Sequence, residues 1–135
     1  MRIFLILLLF PCIAISQVQT SGNTRADVEY LQSEFLKSRG EVNDEIRKRF
    51  PVNTIKGTEY VSFLAKVSGQ YDRSNLESRG ILVGSKIQDI LSFKCPLNEL
   101  STILEDQNFA YIELAGKIKP SLSRVPADVR ADSVW

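Results

Sequence analysis

Few residues in this sequence have the type and spacing to do chemistry. Ser62 and Lys66, four apart, come nearest to a serine nucleophile with a lysine base; Cys95 offers a thiol, and Glu105 and Asp106 are adjacent carboxylates. There is no histidine, which removes the Ser-His-Asp and Cys-His systems and the commonest metal ligand with them. Ser62 and Lys66 fall in an alternating run that predicts a strand. Their side chains then share one face about two pleats apart, too far for proton transfer without a bend. Glu105 and Asp106 sit at a predicted helix end, where solvation is the ordinary expectation. The scattered glycines form no phosphate-binding loop. The residues point to no catalytic role and to no cofactor or metal.

The N-terminus carries a different signal. Met1-Arg2 precedes an apolar run from Ile3 to Phe10, and Ala14-Ile15-Ser16 is a small-x-small exit. This is the pattern of a secretory signal peptide over residues 1–16, with cleavage expected between Ser16 and Gln17. The run is far short of the roughly 20 residues that span a bilayer, so no stable membrane anchor is expected. Cys12 raises a lipoprotein alternative, disfavoured by Pro11 just before it. Loss of the signal removes Arg2 and Cys12. Lys plus Arg then falls from 17 to 16 against 16 acids, a net charge of zero that gives no electrostatic reason to expect nucleic acid or an anionic membrane as partner. Cys95 is left alone, without an internal disulfide, and reads as a small buried apolar residue. Export without disulfides fits a secreted, periplasmic or cell-envelope setting.

The elements follow from periodicity. Residues 17–23 read as a flexible lead. Thr24 is placed to cap a helical segment over residues 24–50, with apolar positions at Val28, Leu31, Phe35, Val42, Ile46 and Phe50. Gly40 is a candidate break, and Pro51 ends the segment. Arg47-Lys48-Arg49 reads as a solvated helix end, and Pro51–Thr58 as a linker. From residue 59 the texture changes to strand (Glu59–Val67), helix (Asn75–Arg79, capped by Ser74), strand (Ile81–Val83), strand (Asp89–Cys95), helix (Leu97–Glu105) and strand (Phe109–Leu114). That order predicts an α+β fold: a ferredoxin-like βαββαβ two-layer sandwich over residues 59–116, preceded by an N-terminal helix and followed by an extended tail, 117–135.

Alternation puts Val61, Phe63, Ala65, Val67, Leu91, Phe93, Cys95, Ala110, Ile112 and Leu114 inward. The outward set is Tyr60, Leu64, Ile90, Phe109 and Tyr111, among Ser62, Lys66, Ser92, Lys94 and Glu113. Helices cover only one face of such a sandwich, so this mixed aromatic and aliphatic face either docks on a partner or is covered by residues 24–50.

Residues 60–135 resemble the N-terminal prodomain of bacterial subtilisin-like serine peptidases. The resemblance is carried by YVSFLAKV, by LESRGILVGSKIQDILSFKCPLNELSTILEDQNFAYIELAGKIKP and by the closing VRADSVW. It implies a ferredoxin-like fold that acts as an intramolecular chaperone and temporary inhibitor of the protease. Tyr60, Leu64, Ile90, Ser92, Phe109, Tyr111 and Glu113 would dock on the protease catalytic domain. Lys119, Pro120, Ser121, Leu122, Ser123, Arg124, Val125 and Pro126 would lie in the substrate cleft by strand addition. The family's aspartate, histidine and serine segments do not occur before Trp135. The sequence therefore reads as a piece of a longer gene product or as a free-standing protease inhibitor; an exported, non-catalytic protein-binding module is the alternative.

Overall fold

A computed structural model describes residues 18–116. The expected cleavage pair Ser16–Gln17 and the tail Lys119–Pro126 lie outside the described residues. Among the described residues the fold is α+β, with four helices and a mixed, open six-stranded sheet.

Chain order begins with β1 (Gln19–Thr20) and α1 (Gly22–Lys37). The expected flexible lead is therefore corrected. Val18 is buried, and Gln19 and Thr20 pair in parallel with Tyr111 and Ile112. The helix starts earlier than predicted because Ser21, not Thr24, is the cap: its side chain accepts from Thr24 N–H at 3.2 Å. Thr24 itself turns inward. Gly40 does break the helical stretch. Arg39 and Gly40 take positive φ of 55° and 87°, a left-handed turn that stops α1. A second helix, α2 (Asp44–Arg49), starts on Asn43, whose side chain accepts from Ile46 N–H at 2.9 Å. Phe50 is extended, as the residue before a proline must be.

The expected linker contains a strand. β2 (Val52–Ile55) forms a hairpin with β3 (Thr58–Val67) through Lys56-Gly57, both at positive φ. Two such residues make the turn whose twist matches a hairpin. β3 is the centre of the sheet. One of its edges pairs with β5 (Ile90–Pro96); the other is shared by β2 near its start and β6 (Phe109–Leu114) near its end.

Between them, α3 (Arg73–Ser78) is capped by Asp72 rather than Ser74, through bonds from Ser74 and Asn75 N–H. It ends on Gly80, with Gly80 N–H bonded to Glu77 O and Ile81 N–H to Leu76 O. β4 (Leu82–Ile87) is longer than predicted; Gly84 and Ser85 lie within it, at a register irregularity, rather than in a turn. After β5 a 3-10 turn (Leu97–Glu99) leads into the short α4 (Leu100–Ile103). The order across the sheet is β1-β6-β3-β5-β4, parallel only between β1 and β6.

The core lies on one side. Val28 and Leu31 of α1, Ile46 of α2, Leu76 of α3, and Leu100 and Ile103 of α4 join Val61, Phe63, Ala65, Leu91, Phe93, Cys95 and Ile112 in one buried cluster. Burial of each large aliphatic side chain contributes about 1.5–3 kcal/mol. Phe93 stacks between Phe63 and Phe109, with ring centroids 5.2 and 4.8 Å away.

Phe109 is thus a correction: expected outward, it is 3% exposed in the core, while Ala110, expected inward, is exposed. The cause is a bulge. Lys66 pairs with Tyr111 but Val67 pairs with Phe109, so one residue of β6 is skipped and the alternation resets.

Candidate docking face

The sheet face opposite the core is laid out by register. Leu64 of β3 sits between Glu113 of β6 and Ser92 of β5, and Lys66 sits between Tyr111 and Ile90. Cross-strand partners on one face of a sheet are in side-chain reach of each other. Of the seven expected docking residues, six therefore fall on this face and Phe109 does not. Tyr60 stands at its far end, opposite Asn53 and Pro96. Ile87 and Leu82 of the edge strand β4, which sequence periodicity missed, extend the apolar strip. Leu64 is 53% exposed, Ile90 48% and Ile87 73%.

A hollow of about 290 Å³ on this face is lined by Leu64, Ala65, Lys66, Ile90, Tyr111 and Glu113. A second hollow of about 460 Å³ shares Leu64 and reaches Ser62, Leu82, Ser92, Lys94 and Ala115. Polar groups rim both. Lys66 Nζ lies 3.4 Å from Asp89, and Tyr111 Oη donates to Glu113 at 3.3 Å. Ser92 Oγ is tied to Ser85, accepting from its N–H at 3.0 Å. Gly84 lies so close over Ser92 that an added Cβ would stand 2.6 Å from Ser92 Oγ and 2.9 Å from its carbonyl oxygen. A side chain there would lift β4 off β5.

The helical segment 22–49 does not cover this face. Val28, Leu31 and Ile46 belong to the buried cluster on the other side of the sheet. Arg47 and Arg49 of the basic cluster are engaged locally. Arg47 bonds Glu59 at 2.6 Å; Arg49 bonds Asp27 at 2.8 Å and lies over the Tyr30 ring.

The residues first suspected of chemistry have structural surroundings. Ser62 and Lys66 share the open face with Leu64 between them on β3. Cys95 is fully buried, and burial, with the nearby Glu99 charge, pushes its thiol up to about 12, so it stays protonated.

Asp106 is not a solvated helix-end acid. It is 6% exposed and accepts from Asn108 N–H at 2.9 Å, from Asn108 Nδ2 at 2.8 Å and from the Arg79 guanidinium. Arg79 also reaches Glu99 at 3.2 Å and Thr102 at 2.7 Å. Burial alone would lower the Arg79 pKa; hydrogen bonds and charge from Asp106 and Glu99 outweigh it and raise it. Asn108 Oδ1 accepts from Asp72 N–H at 2.6 Å, which ties the network to the cap of α3. Among the described residues no buried side-chain polar atom lacks a partner, so this network reads as a staple joining α3, α4 and β6.

No helix among the described residues is long and apolar enough to cross a membrane. Comparison with protein-family models, curated proteins and solved structures finds no match for this chain, which leaves its function to be argued from the residues of the open face.

Proposed function

We propose that the chain is the exported prodomain of a subtilisin-like serine peptidase, built as a ferredoxin-like sandwich that docks its open sheet face on the protease catalytic domain. The prodomain assists folding of that domain and inhibits it, with the tail at 119–126 entering the substrate cleft. Support for the sandwich comes from the antiparallel order β6-β3-β5-β4, with α3 between β3 and β4 and α4 between β5 and β6. The observation that carries the docking reading is the apolar strip of Leu64, Ile90 and Ile87, about half exposed or more, on the face that the helices leave open. Isolated exposed aliphatics are ordinary; a contiguous strip over two hollows with a charged rim has the composition of an interface centre and edge.

The test is inhibition of a subtilisin-type protease by the secreted chain, starting at Gln17. The parent chain should slow the protease, and Leu64→Arg or Tyr111→Arg should weaken inhibition at least tenfold, ~1.4 kcal/mol, while leaving the far-UV spectrum unchanged. Wild-type inhibition that both substitutions leave intact would remove the face from the mechanism. A chain without effect on such proteases, including one encoded with it, would refute the reading.

A further inference from the structure

We propose that the segment 18–24 is a strap that closes the β6 edge and prevents that edge from pairing with a second copy of the chain. β6 lies next to β3 on one side, and among the described strands its other side pairs with β1. An uncovered strand edge presents unpaired N–H and C=O groups, a template for another strand. β1 contributes just two paired positions, Gln19 with Tyr111 and Thr20 with Ile112. So short a strand would not hold on its ladder bonds alone.

It is held at both ends by other means. Before it, Val18 is 5% exposed and packs in the core. After it, Thr24 is 4% exposed, and its Oγ1 accepts the N–H of Leu114, the last residue of β6, at 3.2 Å. Ser21 fixes that hydroxyl: Ser21 Oγ donates to Thr24 Oγ1 at 3.0 Å while accepting from Thr24 N–H. One apolar anchor and one side-chain acceptor thus extend a two-residue ladder along the outer edge of β6.

The opposite edge is protected differently. β4 has a register irregularity between Val83 and Lys86, and the Ser85 N–H is taken by the Ser92 hydroxyl. Bulges of this kind discourage edge pairing. β6 has its own bulge near its start, but from Tyr111 to Leu114 its register with β3 is regular. That regular stretch is the one the strap covers.

The experiment uses the chain from Gln17 onward and two variants. Thr24→Val keeps the shape and removes the acceptor. Val18→Asp combined with Thr24→Val also removes the apolar anchor. Amide exchange is read at Ile112 and Leu114, and mass by sedimentation across a concentration series. Thr24→Val should speed exchange at Leu114 roughly two- to tenfold, the worth of one hydrogen bond, with the rest of the sheet unchanged. The double variant should expose both amides and become a concentration-dependent dimer. A double variant with fast-exchanging β6 amides that stays monomeric throughout overturns the proposal. Should the double variant unfold, the single one decides: an unchanged Leu114 amide overturns the strap, and faster exchange confined to Leu114 supports it.

Discussion

Replacing Asp106 by alanine is expected to be among the most damaging single changes to a polar residue in this fold. The Asp106 side chain is 3% exposed and serves three donors: Arg79, Asn108 N–H and Asn108 Nδ2. Breaking a fully buried ion pair costs about 3–5 kcal/mol, but Arg79 is 27% exposed and keeps Glu99 and Thr102. Its share therefore falls to about 1–2 kcal/mol after discounting for solvent. Leaving the buried Asn108 N–H without an acceptor adds about 1–2 kcal/mol, and the total is about 3 kcal/mol. With a urea slope of about 1.5 kcal/mol per molar, the midpoint should fall by about 2 M. Asp106→Asn retains an acceptor for the Asn108 N–H and should lose about half as much. Glu105→Ala, one residue away and exposed, should stay within about 0.5 kcal/mol of the parent. If Asp106→Ala and Glu105→Ala melt together, the staple contributes nothing and its assignment is wrong.

Two further outcomes rest on single contacts. Cys95 ionises at 9.0 ordinarily but at about 12 in the fold. Between those values the unfolded chain has lost a proton that the native one keeps, so stability should fall as pH rises from 9 to 12, by about 1 kcal/mol for each pH unit. Cys95→Ala should flatten that part of the profile, and a thiol reagent at pH 8 should label Cys95 only after denaturant is added. At Gly84, alanine would bring a Cβ to 2.9 Å from the Ser92 carbonyl oxygen. It should cost about 1–3 kcal/mol through the shift forced on β4, and the same loss should persist in a Ser92→Ala background, because backbone rather than the hydroxyl sets the limit.

Alternation was a good guide where strands are regular. It placed Val61, Phe63, Ala65, Leu91, Phe93 and Cys95 on the core side, and Leu64 and Ile90 on the open side, as found. It failed at Phe109 because a bulge is a fact about two strands and leaves no mark in one. The hairpin does have a signal in the sequence: Lys56-Gly57 between Val52–Ile55 and the β3 run has the short loop and the glycine that such a turn favours. The N-terminal strand was illegible for a different reason. Two polar residues carry no periodicity, and what places them is Val18 before them and Thr24 after them. A carboxylate at a helix end is usually wet, and the burial of Asp106 depends on Arg79, 27 positions earlier, and on Asn108 closing over it. The open face was readable as a pattern, and its extension to Ile87 was not, since β4 was predicted to stop at Val83.

The bond from Leu114 to Thr24 joins residues 90 positions apart, and its consequence is one of timing. Closing a loop of that length costs about 4 kcal/mol in chain entropy beyond a constant, and non-local pairings slow folding. A chain made from its N-terminus onward synthesises α1 early, yet the strand that α1 and β1 dock beside is among the last of the sheet to appear. β3 likewise waits for β5 and β6 before both its edges are filled. The hairpins of β2 with β3 and of β4 with β5 can form as soon as they are made, and β3 can pair with β5, but β1 and Thr24 have no partner until β6 has emerged, so among the described strands β6 completes the sheet.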